Sequence, residues 1–187
     1  MMKDGKGGAN TKTGLVFEMK TDLVSFLRKQ SGYSVKKISG YKSSYNILYK
    51  KEQVARTFPK NDLYTFLETE HNLDWAGILS KRLLPDDALY VVTNNTVYII
   101  EKKKQTGAGS VDEKLQTCDF KKKQYRKLFS RLNMEVEYMY LLSDWFLSPS
   151  YKDSLDYIIS VGCHYYFEYI PLQKLNLPVP ELPGLVQ

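Results

Sequence analysis

Apolar residues recur along the chain at two spacings, three to four residues in some stretches and about two in others. Leu15, Met19, Leu23, Phe26 and Leu27 fall on one stripe, which predicts a helix over 14–30 capped by Thr13 or a neighbour. Residues 33–41 and 45–50 read as extended, punctuated by Gly40 and two serines. Pro59 and Asn61 precede a helical stretch over 62–71, and a third runs over 74–82. Two extended segments follow, 86–93 and 96–104, with Asn94-Asn95 between them as a tight hairpin turn. After the glycines at 107 and 109, Ser110 and Glu113 form a capping box. Val111, Leu115, Cys118, Tyr125, Phe129 and Leu132 then trace one long amphipathic helix, basic on its other side. A strand over 135–142, a helix over 152–160 and a strand over 163–169 complete the pattern, and four prolines make 171–187 a loose, extended tail. Strands flanked by helices predict an α/β sandwich built on a mixed sheet.

At 187 residues with 43% apolar composition, the chain suits one globular domain over 1–187, with 1–12 as a flexible arm. No apolar run approaches the roughly 20 residues that cross a bilayer. The polar, Gly-rich start lacks the apolar stretch of a signal peptide, so an intracellular, cytoplasmic protein is expected. The two cysteines are far apart, with no CxxC pair, and His71 and His164 stand alone, which argues against zinc and against a required disulfide. Cys118 reads as a small core residue. The net charge of +6 is unevenly placed: 101–131 holds ten Lys or Arg against four Asp or Glu, and the rest of the chain sums to zero. Beside a candidate active site, such a segment reads as a face for a polyanion.

The hairpin carries the chemistry. With a two-residue turn, Tyr90 opposes Ile99, Ala88 opposes Glu101, and Asp86 opposes Lys103. Side chains alternate faces along a strand. Asp86, Glu101 and Lys103 therefore share one face, while Asp87 and Lys102 fall on the other. Diagonal neighbours lie about 7–8 Å apart, a span two carboxylates bridge through a shared cation. Phosphodiester hydrolysis needs such a group. A hard divalent cation offsets the phosphate charge and lowers the pKa of a bound water, and magnesium asks for only one or two protein carboxylates. A neighbouring lysine orients the water or stabilises developing charge.

Pro85, Asp86, Glu101 and Lys103 stand where the PD-(D/E)xK nuclease motif has its residues, with fourteen residues between the acids. Glu-Lys-Lys-Lys-Gln followed by Gly-Ser-Val-Asp-Glu-Lys-Leu-Gln-Thr resembles type II restriction endonucleases in particular. So does Gly-Gly-Ala-Asn-Thr-Lys-Thr-Gly-Leu-Val-Phe-Glu near the start. The resemblance spans roughly residues 7–131. It implies a restriction-endonuclease-like core and Mg2+-dependent cleavage of both strands of a short duplex site, with Mn2+ able to substitute. It implies Asp86 and Glu101 as metal ligands, Lys103 as the catalytic lysine, and Glu18 as a further acid reaching the metal from the first helix. It also implies a homodimer on a symmetric site, and a companion methyltransferase in the host that is not bound. Asp87 competes with Asp86 for the metal, and Gln105 reaches the phosphate if its strand extends that far.

For the DNA backbone, Lys102, Lys104, Lys121, Lys122, Lys123, Arg126 and Lys127 are the expected partners, with Asn10 and Lys12 on an arm that can enter a groove. Two other readings fit the same residues. One is a repair, nicking or phage-type nuclease of the same fold, and the other is a catalytically inert DNA-binding module.

Overall fold

The computed structural model describes residues 16–18, 22–105 and 111–180. Its centre is a seven-stranded mixed sheet in an α/β arrangement, compatible with a restriction-endonuclease-like core. Five strands form an antiparallel meander: β2 (Tyr33–Lys37), β3 (Tyr45–Tyr49), β4 (Glu52–Thr57), β5 (Asp87–Val91) and β6 (Thr96–Lys103). β7 (Glu135–Leu142) and β8 (His164–Phe167) then add in parallel to β6. Helices cover both faces. α2 (Asp62–His71), α4 (Cys118–Phe129) and α5 (Lys152–Ser160) bury one core with Phe58, Ile99, Tyr138 and Tyr140. α1 (Leu23–Arg28) and the chain after β8 bury the other with Leu89, Ile100 and Leu141.

The apolar pattern matches α2, α5, β7 and most of β2, β3 and β8. It fails where tertiary pairing overrides local preference. The first predicted helix keeps only Leu23–Arg28, opened by the Asp22 carboxylate, which accepts the Ser25 N–H at 2.8 Å. The segment before it forms β1 (Val16–Glu18), paired with β9 (Tyr169–Pro171). β4 was not foreseen, because its sequence has no clean alternation, yet Val54 and Ala55 are both buried. The stretch 74–82 is a single turn, closed by the Ile78 and Leu79 N–H groups on the Trp75 carbonyl. The long helix breaks at Thr117, whose hydroxyl donates to the Lys114 carbonyl, leaving α3 (Val111–Leu115) and α4. β8 and β9 part at Glu168, at φ 60°. The tail is not loose as far as Pro180: Leu172, Leu175 and Leu177 are buried, and the Tyr33 hydroxyl donates to the Pro178 carbonyl.

Candidate active site

The β5–β6 hairpin closes with four turn residues, 92–95, rather than two, with Asn95 at φ 53°. Val91 pairs Thr96, Ala88 pairs Ile99 and Asp87 pairs Ile100. The register thus differs from the expected one by two residues. A two-residue shift keeps every side chain on its face, whereas a one-residue shift would exchange them. The face assignment therefore holds, and the partners change. Continued one step past the last pair, that register sets the bend residue Asp86 against Glu101 rather than against Lys103.

The loop that delivers Asp86 is held from three sides. The Tyr64 hydroxyl from α2 donates to the Leu83 carbonyl at 2.9 Å, and the Tyr125 hydroxyl from α4 donates to the same oxygen at 3.1 Å. The Lys60 N–H donates to the Pro85 carbonyl at 3.0 Å. The Asp86 carboxylate itself accepts the Lys102 N–H at 3.0 Å, which tethers it across the end of the ladder. Burial raises the Tyr64 hydroxyl above its ordinary value and drives the Tyr125 hydroxyl well above it.

Glu101 is 6% exposed, on the last buried rung of β6 beside Tyr140 of β7. Its Oε2 accepts the Lys103 ammonium at 2.8 Å, and the Lys121 ammonium stands 3.5 Å from the same oxygen. On the opposite face Asp87 pairs Lys102 at 3.4 Å. Burial pushes the Asp87 carboxyl up, against the pull of Lys102. The structure thus pairs Glu101 with Lys103, holds Asp86 at the end of the same hairpin, and sets Asp87 and the Lys102 side chain apart.

Other expected site residues are placed differently. Glu18 lies on β1, opposite Tyr169, not on the first helix, and its side chain lies outside the described residues. Asn10 and Lys12 also lie outside them. Gln105 is past the end of β6, its N–H donating to the Ser143 hydroxyl at 3.4 Å, so it does not share the strand face. Lys122 is not a backbone-contact candidate: its side chain is 7% exposed and donates to Glu137 at 3.1 Å and to the Gly162 carbonyl. Lys123 is exposed but pairs with Asp119 at 2.7 Å. Lys102 is committed to Asp87. Arg126 and Lys127 are exposed roughly 8–9 Å further down α4 than Lys121, away from the carboxylates. Lys104 stays exposed beside the site.

A second basic region lies outside 101–131, in the part of the chain whose charges sum to zero. Residues 23–51 contain seven Lys or Arg and no Asp or Glu. Summed with the acidic remainder they cancel, which hides them from a segment total. Register places Lys37 at the same end of the sheet as Asp86, through Tyr45, Thr57 and Leu89. Lys42 sits in the adjoining loop, whose backbone is pinned by the buried Asp62 carboxylate through the Lys42 and Ser43 N–H groups and the Ser44 hydroxyl.

Among the described residues no group of three or more His, Cys, Asp or Glu side chains gathers, and no helix is long and apolar enough to cross a membrane. No family model matches the chain, and no curated protein matches it at a significant level.

Proposed function

We propose that this chain is a Mg2+-dependent nuclease of the PD-(D/E)xK kind that cuts duplex DNA, acting as a type II restriction endonuclease. The observation that carries the reading is the Asp86 carboxylate held on the Lys102 N–H, the residue after Glu101, with the Lys103 ammonium 2.8 Å from Glu101. The donor set suits magnesium. Two carboxylates lie at the end of one hairpin, and the buried one already has cationic groups on its Oε2, as a carboxylate taken out of water requires. Asp86 and Glu101 would hold the ion. When bound, it supplies charge neutralisation at the phosphate and acidifies a water.

The chain's own residues do the rest. Tyr64, Tyr125 and Lys60 fix the Asp86 loop, so the acid is preorganised rather than recruited on binding. Lys103, released from Glu101, reaches the attacking water or the developing phosphorane charge. Exposed Lys37, Lys42, Lys60 and Lys104 lie along the same end of the sheet and supply backbone contacts. From β6 to β2 is four strand spacings, about 19 Å. At 3.4 Å of axial rise per base pair that is nearly six base pairs. One site per chain and two strands to cut require a homodimer on a symmetric DNA site.

The test is digestion of a mapped plasmid with Mg2+ or Mn2+, with Asp86→Ala, Glu101→Ala and Lys103→Ala as controls. Discrete fragments from the wild type and at least about 100-fold slower cutting by each variant are expected. Wild-type rates in any one variant would remove that residue from the site. Smears or nicks would favour a repair or nicking nuclease. Binding without cutting would favour an inert module.

A further inference from the structure

Glu101 has two ammonium groups near a single oxygen, and the second comes from outside the motif. We propose that Lys121 is a fourth member of the site. Without a divalent cation it helps hold the buried Glu101 carboxylate, and with the cation bound it turns to the scissile phosphate. The inference deepens the nuclease reading and rests on it.

Three observations support it. First, one ammonium at 2.8 Å already matches the charge of Glu101, so Lys121 at 3.5 Å exceeds what burial of that carboxylate demands. Second, Lys121 is placed by the same helix face that fixes the acid loop. Tyr125 is its i+4 neighbour, and the Tyr125 hydroxyl binds the Leu83 carbonyl three residues before Asp86. Third, the Lys121 side chain is 25% exposed while Glu101 is 8%, so its ammonium is anchored at the mouth of the site and can turn outward. Formal charge balances only with all four side chains. Asp86, Glu101, Lys103 and Lys121 sum to zero, as do a divalent cation, one phosphodiester and one hydroxide. Removing Lys121 leaves the loaded site with a negative surplus.

The full chain carrying Lys121→Met separates this role from a structural one. With Mn2+ alone as the probe, measured by electron paramagnetic resonance, the variant should bind the ion roughly threefold or more tightly than wild type, because a competing positive charge is gone. Its single-turnover cleavage of plasmid DNA at saturating Mn2+ should fall at least about tenfold. Lys121→Arg should restore wild-type Mn2+ affinity and part of the rate. Unchanged Mn2+ affinity in a folded Lys121→Met, or cleavage at the wild-type rate, would overturn the proposal. If Lys121→Met does not fold, Lys121→Gln takes its place, with the same expected and the same overturning results. A wild-type protein that binds Mn2+ but cuts no DNA would instead sink the nuclease reading, and Mn2+ affinity alone would then judge Lys121.

Discussion

Two adjacent aspartates, Asp86 and Asp87, have the same chemistry and opposite environments. Asp86 is half-buried and tethered by the Lys102 N–H at the end of the hairpin. Asp87 faces the other core, paired to the Lys102 side chain and pushed by burial toward its neutral form. A carboxylate on that face, already paired to an ammonium, is not placed to share a cation with Glu101. Asp87→Ala should therefore keep at least about tenfold more cleavage than Asp86→Ala, measured under single-turnover conditions at matched protein stability. The reverse order would mean that the functional face is the one carrying Asp87. Asp87→Ala should instead lower the urea denaturation midpoint by removing the carboxylate 3.4 Å from the partly buried Lys102 ammonium.

At the scale of elements, α4 is the joint between chemistry and fold. Its first turns carry Lys121 to Glu101, Tyr125 to the Asp86 loop, and Lys122 to the far strands. Lys122 reaches Glu137 on β7 and the Gly162 carbonyl just before β8, so a residue inside a basic run serves as a buried strut. Glu137 is held below the usual glutamate value of 4.5 first by His164, then by Lys122, against the burial that raises it. A carboxylate with a depressed folded pKa contributes stability that is complete above the unfolded value and lost as pH falls through the folded one. Lys122→Ala should cost about 2 kcal/mol at pH 7 by urea denaturation, and that cost should shrink below pH 4.5 as Glu137 takes up its proton. The slope of DNA affinity against salt should not change, because Lys122 is not on the surface. A lowered salt slope with no loss of stability would make it a phosphate contact after all.

For the whole molecule, the charge distribution matters more than the net +6. The acid-free stretch 23–51 forms one flank of the sheet and the 101–131 segment lies at its centre, so cations from both meet at the end that carries Asp86 and Glu101. An edge strand often bears lysines to block edge-to-edge pairing, which accounts for Lys36 and Lys37 on β2. It does not account for Lys42 in a loop held by a buried carboxylate. Paired Lys37→Ala and Lys42→Ala substitutions should lower the slope of log affinity against log salt by about 2, measured by fluorescence anisotropy with a catalytically dead Glu101→Ala background. An unchanged slope would move the DNA path off this flank.

Local pattern alone determined the elements whose apolar spacing is long and regular, such as α2, α5 and β7, because burying one face of a helix or strand needs little beyond that spacing. It also determined that Glu101 and Lys103 share one face of β6 and that Asp87 lies on the other, because strand alternation survives any even change in turn length. It missed β1 and β4, whose hydrogen bonds are made with distant partners and leave no periodic trace. It also could not sort the lysines. Lys121, Lys122 and Lys123 are consecutive and look alike in sequence, yet 100° of helix rotation per residue sends one to Glu101, one into the core and one to solvent. Only the packing of α4 against β7 decided which of them belongs to the site, because that packing sets the helix's rotation about its own axis.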